Sequence, residues 1–250
     1  METAIVISGV RKAFGEKVIY DGLDLEVRRG ETLTVVGPSG SGKSVLLKLI
    51  IGLHQPDAGR IVVGGLEVTK LDELQLREVR RKAAMLFQGA ALFDSMPVGD
   101  NVAYGLHEHF DWPADKVRAR VAECLEWVGL PGIEAMRPAD LSGGMKKRVG
   151  LARALAPGPE IILYDEPTTG LDPTNTRRIN ELILSLQERL GVTSIVITHD
   201  IASALAVSDR LALVRDKKIA LVVDEAVAES SPPEALARFM QGEEADERRA

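Results

Sequence analysis

The segment GPSGSGKS, residues 37–44, has the residue types and spacing that let a backbone wrap an anion. It fits G-x-x-x-x-G-K-[ST]. Gly37, Gly40 and Gly42 allow close approach to phosphate, and Pro38, Ser39 and Ser41 complete the loop. Backbone N–H groups and the positive end of the following helix then face the anion. Lys43 can reach the outer phosphates, and the Ser44 hydroxyl can ligate Mg²⁺. The loop implies a nucleoside triphosphate. By itself it does not separate kinases, GTPases, helicases and transport ATPases.

A second set of chemical residues ends an apolar run. In IILYDEP, residues 161–167, Asp165 can hold Mg²⁺ and Glu166 can take a proton from attacking water. Alone, the pair reads equally well as solvated acids at a strand end; the phosphate loop upstream decides for chemistry. His199, in SIVITHD, lies past another apolar run, where it can contact the γ-phosphate and steady Glu166 and water. The competing reading is a cap on the following helix. Gln88, in AMLFQGAALF, can touch Mg²⁺ or the lytic water.

A third stretch, LSGGMKKRVGLARAL at 141–155, places Ser142 as a helix cap and leaves N–H groups open at Gly143 and Gly144. This is a second anion site. In a chain that already has a phosphate loop it is redundant, unless it reads the γ-phosphate held by another copy. Lys146, Lys147 and Arg148 follow and read mostly as a solvated face, with Leu151, Ala152 and Leu155 turned to the core.

These residues need strand ends and helix starts to hold them. TAIVISGV and LDLEV read as strands joined by a turn at Asp21–Gly22. ETLTVVG then KSVLLKLIIGL read as strand, loop, helix. GRIVVGG, AAMLF, IILYD, SIVIT, RLALVR and IALVVD supply further strands. TRRINELILSLQERLG puts Ile179, Leu182, Ile183, Leu186 and Leu190 on one helical face. The alternation predicts an α/β fold: a phosphate-loop nucleotide-binding core with a mainly parallel sheet and an N-terminal β portion. Residues 98–157 read as an inserted helical subdomain, leaving 1–97 and 158–240 as core and 241–250 as a frayed charged tail.

The chain has 250 residues, enough for one large domain, with 45% hydrophobic and 27% charged residues. A net charge of −6 disfavours a bulk electrostatic grip on nucleic acid or an anionic membrane, although Arg77, Arg80, Arg81 and Lys82 lie close together. The single cysteine, Cys124, excludes an internal disulfide and sits at helical spacing among apolar residues, as a core thiol does. No apolar run approaches the ~18 residues that span a bilayer, so a cytoplasmic protein is expected, with any membrane-spanning part supplied by a partner.

The phosphate loop, the Gln88 segment, LSGGM, YDEP and THD occur in the order seen in ATP-binding cassette ATPases, and the chain resembles that family over nearly its whole length. The resemblance implies an antiparallel β portion and a RecA-like core. It implies two copies sandwiching two ATP molecules head to tail, each phosphate loop facing the other copy's LSGGM. It also implies that Phe14 stacks on adenine, that Asp172 lies across the dimer interface, and that the segment from Gln88 onward meets a transmembrane permease.

FQGAALFDSMPVGDNVAYGL, the Met145 of LSGGM and SPPEALARFMQG are similar to the Mla/Mce-type lipid transport ATPases. Ala90 and Pro97 depart from that group's usual glycine and threonine, near the expected permease contact. The implied partners are a second copy, permease subunits at the cytoplasmic face of the inner membrane, and, as further candidates, a small regulatory subunit and a lipid-binding substrate protein. The alternatives are a cassette serving an importer of small polar solutes such as amino acids, and a soluble cassette acting on ribosomes or DNA. The acidic charge counts against the last, and the presence of Glu166 and His199 counts against a scaffold that does not hydrolyse ATP.

Overall fold

The computed structural model describes residues 2–242. The chain opens with a long hairpin, β1 (Thr3–Phe14) and β2 (Lys17–Arg28), which pairs with β4 (Ala58–Val63) and β5 (Leu66–Glu67) in a four-stranded antiparallel sheet ordered β2-β1-β4-β5. The hairpin turn is at Gly15–Glu16, not at Asp21–Gly22. Only Gly15 of the pair has positive φ, the mark of a type II′ turn. Asp21–Gly22 instead lies inside β2 at a shift of register against β1, so the signal read as a turn belongs to a bulge.

The second sheet carries the chemistry. Its order is β10-β9-β3-β8-β7-β6, from β3 (Thr32–Val36), β6 (Ala83–Leu86), β7 (Ile161–Asp165), β8 (Thr193–Ile197), β9 (Arg210–Arg215) and β10 (Lys218–Asp224). All neighbours are parallel except the β9–β10 hairpin. Every residue of β3, β7 and β8 is buried. Strands covered on both faces read as continuous apolar runs, which is why they were visible in the sequence.

Alternate residues of β7 face opposite cores. Ile161 and Leu163 pack with α1 (Lys43–Ile50) and the antiparallel sheet. Ile162 and Tyr164 pack with a helical unit of α3 (Val98–His109), α4 (Ala114–Trp127) and α5 (Gly143–Leu155), together with α6 (Pro173–Leu190). Cys124 is buried in that second core, and burial pushes its thiol up to about 11. The helical unit lies between β6 and β7 in the chain.

α6 begins at the cap residue Asp172 with Pro173 in its first turn and ends at Gly191 in the left-handed region. Ile179, Leu182, Ile183 and Leu186 are buried, but Leu190, the last residue of the helix, is exposed. The basic residues of α2 (Leu76–Lys82) form no open patch. Arg80 pairs with Glu73, Arg81 with Glu78, Arg77 with the Glu108 carbonyl, and Lys82 with the Gly64 carbonyl. The expected tail over 241–250 lies almost wholly outside the described residues. Among the described residues no helix is long and apolar enough to cross a membrane.

Candidate active site

The C-terminal ends of β3, β6, β7 and β8 deliver the phosphate loop, Gln88, Asp165–Glu166 and His199 to one edge, where an α/β sheet binds its ligands. Ser39, Gly40, Gly42, Lys43, Ser44, Gln88, Glu166 and His199 line a cleft of about 560 Å³ there, with Lys17 and Ile19 of β2 as one wall. A neighbouring hollow of about 320 Å³ shares Lys17, Ile19 and Gly40 and is also lined by Pro38 and Ser41.

The loop is built tightly. Gly42 has φ 98° and caps α1, and a Cβ there would lie 2.4 Å from Ile19 Cγ2. The buried Tyr20 hydroxyl donates to the Gly42 carbonyl at 2.8 Å, and burial pushes its pKa up. Lys43 is buried and its Nζ donates to the Gly37 and Pro38 carbonyls at 2.8 and 3.1 Å, so the loop is curled around the ammonium. Burial lowers the Lys43 pKa, and the charges of Glu166 and Asp165 partly oppose that. Ser41 Oγ is buried without a hydrogen-bond partner among the described residues, a polar atom left over for a ligand.

Ser44 Oγ donates to Asp165 Oδ1 at 2.7 Å. Burial raises the Asp165 pKa, more than the Ser44 hydrogen bond lowers it. A hydroxyl and a buried carboxylate side by side suit a hard cation that shares its shell with phosphate and water, as Mg²⁺ does. Among the described residues no three His, Cys, Asp or Glu side chains gather into a protein cage for a metal.

Glu166 holds φ 50°, a left-handed backbone that costs a residue with a side chain on the order of 1–3 kcal/mol. Its surroundings fix it there. Glu166 N–H donates to the Ile197 carbonyl, and its own carbonyl accepts from Lys147 Nζ at 3.2 Å. Glu166 Oε2 accepts from Thr169 Oγ1 at 2.9 Å and lies 2.8 Å from His199 Nδ1. Thus His199 does not cap α7 (Ile201–Val207); Asp200 does, accepting from Ala202 and Ser203 N–H. Gln88 is exposed on the cleft wall.

Ser142, Gly143, Gly144 and Asp172 do not line that cleft. They gather where the starts of α5 and α6 meet. Ser142 caps α5 through Met145 N–H at 3.3 Å, and Asp172 caps α6 through Thr174 and Asn175 N–H. Asn175 joins the two: its amide reaches Asp172 Oδ2 at 2.5 Å, and a Cβ on Gly144 would lie 2.9 Å from Asn175 Oδ1. Only glycine leaves that helix start uncovered while Asn175 stays in place. Phe14 belongs to neither group. It is exposed at the end of β1, edge-on to His54, with Lys12 Nζ 5.1 Å from its ring centre.

The basic run of α5 is not a solvated face. Lys147 is buried, and Arg148 donates to the Val128 and Gly129 carbonyls. Lys147 and Thr169 were both missed in the sequence. The available signal was spacing: Lys147 shares a helical face with Gly144, Gly150 and Leu151, all buried.

A family model described as ABC transporter matches residues 20–169. The chain is 42% identical over 232 residues to the intermembrane phospholipid transport system ATP-binding protein MlaF of Haemophilus influenzae, covering 92% of this chain and 87% of that protein. It is 44% identical over 223 residues to the methionine import ATP-binding protein MetN 2 of Rhodococcus jostii, covering 88% of this chain and 65% of that protein. The solved dimer of the ATP-binding cassette MJ0796, in a post-hydrolysis state bound to ADP and Pi, matches with a TM-score of 0.82 and 32% identity, covering 88% of this chain and 98% of that one. The chain therefore belongs to the ABC transporter family, as an ATP-hydrolysing cassette subunit.

Proposed function

We propose that two copies of this chain close head to tail on ATP and drive a lipid-moving permease from the cytoplasmic face of a membrane. The observation that carries the pairing is the separation of the site. One surface has a concave cleft with a lysine, a hydroxyl–carboxylate pair and a held glutamate, and another has a bare helix start with open N–H groups. A cleft in one copy and a helix start in the other complement each other.

In this reading the N–H groups of residues 37–44 and Lys43 hold the β- and γ-phosphates of ATP. Ser44 and Asp165 would hold Mg²⁺, with Gln88 serving it or the attacking water; the cation would supply neutralisation of charge on the phosphate oxygens. Glu166 Oε2 is engaged by Thr169 and His199, which leaves Oε1 to take the proton from water. His199 Nδ1 is turned to Glu166, which leaves Nε2 for the γ-phosphate. Phe14 stacks on adenine beside Lys17 and Ile19. The partner's Ser142, Gly143 and Gly144 close on the γ-phosphate, with Asp172 at the joint. Residues 98–157 act as the helical subdomain, and the segment from Gln88 onward meets the permease. The wide match to MlaF supports phospholipid as cargo. The identity to MetN 2 supports a second reading, import of a small polar solute such as an amino acid.

Replacing Glu166 with Gln tests the pairing. ATP-bound Glu166→Gln should run as a dimer on gel filtration with turnover down roughly 10²–10⁴-fold, the range for loss of a general base. A monomer with ATP and parental turnover would refute both the base and the pairing. Lipid extraction of the complex copurified from membranes separates the two cargo readings.

A further inference from the structure

The ammonium of Lys147 is held in an unusual place. It is buried in the second turn of α5, and among the described residues its partners are two carbonyls, Glu166 O at 3.2 Å and Thr169 O at 2.7 Å. A buried cation paired only with neutral dipoles is a costly arrangement. Burial lowers its pKa, opposed by the Glu166 charge. Those two carbonyls bracket one turn. Inside it Thr169 N–H donates back to the Glu166 carbonyl at 3.3 Å, and Thr169 Oγ1 donates to the Glu166 carboxylate. The same turn holds the left-handed Glu166. Lys147 also lies about one and a half helical turns below Ser142, on the same unbroken helix.

We infer that Lys147 is a positioning residue for hydrolysis: its ammonium holds the 166–169 turn closed, keeps the Glu166 carboxylate aimed into the cleft, and ties that aim to the start of α5. A displacement of the helix start, where the partner's nucleotide is proposed to bind, is then carried to the base in the same chain. The inference rests on Glu166 being the base.

The test uses the full-length chain. Lys147→Met keeps the aliphatic stem and removes the donors; Lys147→Gln restores N–H donors on a shorter stem; Glu166→Gln is the control. Lys147→Met should lower kcat roughly 10- to 100-fold, with KM for ATP and the melting temperature close to parental, because the loss is one of aim. Lys147→Gln should recover most of that kcat. Thr169→Val leaves Lys147 in place and should lower kcat by about 3- to 10-fold without a change in KM, a readout that stands even where Lys147→Met does not fold. Parental kcat in Lys147→Met beside an inactive Glu166→Gln overturns this inference alone. So does equal impairment of the Met and Gln variants with KM and melting temperature moving together. Parental turnover in Glu166→Gln overturns the base assignment, and this inference with it.

Discussion

The cleft and the α5 start both present N–H groups at the head of a helix, yet they are built differently. The cleft is gathered from four strand ends, and its groups are already engaged with one another: Lys43 on loop carbonyls, Ser44 on Asp165, Glu166 on Thr169 and His199. The α5 start has a Ser142 cap, two glycines and an Asn175 brace; its own first turn has no acid, and the neighbouring Asp172 is taken up in capping α6 and holding Asn175. In the proposed pairing one region binds and acts, and the other completes it. That difference implies that variants of the cleft should change nucleotide binding by a single chain, while variants of the helix start should change only what a pair does.

The largest expected effect lies in the cleft. Lys43→Ala removes the buried cation and should weaken ATP binding to the isolated chain, with turnover down roughly 10²–10³-fold, the scale for losing one charged stabiliser. Equilibrium binding of a fluorescent ATP analogue checks it, and unchanged affinity would erase the distinction between the regions.

Next is Asp165→Asn. The Asp165 pKa is raised by burial, so its charge is a load on the nucleotide-free fold. The substitution should abolish Mg²⁺-dependent turnover yet raise the melting temperature of the nucleotide-free chain by about 2–4 °C, the response to ~1 kcal/mol in a domain of this size. A raised carboxyl pKa means the protonated form is favoured in the folded state. The gain is therefore full at neutral pH and fades as pH falls through the raised pKa toward the ordinary carboxylate range, where the native Asp165 is protonated too. A melting series from pH 4 to 8 reads it.

The smallest effect is a control. Arg81→Ala breaks a half-exposed pair with Glu78, far from either region in role, and should change stability by no more than about 0.5 kcal/mol and leave turnover alone.

Much of this layout was legible because buried parallel strands are written as apolar runs that end abruptly in chemistry: TVVG before the loop, IILYD before Glu166, SIVIT before His199. Sheet order was not legible, since contacts such as β3 with β8 and β9 join segments remote in sequence. Asp21–Gly22 misled because a bulge and a turn ask for the same residue types. Lys147 was hidden for a different reason. Nothing local distinguishes a lysine facing water from one whose carbonyl partners come from a later turn of the chain. Glu166 gave no sign of its left-handed backbone either, which depends on Ile197, Lys147 and Thr169 acting together.

Ser142→Asp tests the pairing of the two regions most directly. Aspartate is as good a cap as serine, so α5 should stay intact, but its carboxylate occupies the place proposed for the partner's γ-phosphate. The measurement is ATP turnover per Ser142→Asp chain, alone and with excess Lys43→Ala chain, which has an unaltered helix start. The variant alone should lose roughly 10²-fold or more, and the added chain should restore turnover per Ser142→Asp chain up to about the parental level, one working site in each mixed pair, by lending its α5. Parental turnover by Ser142→Asp alone, unmoved by the second chain, would contradict the account.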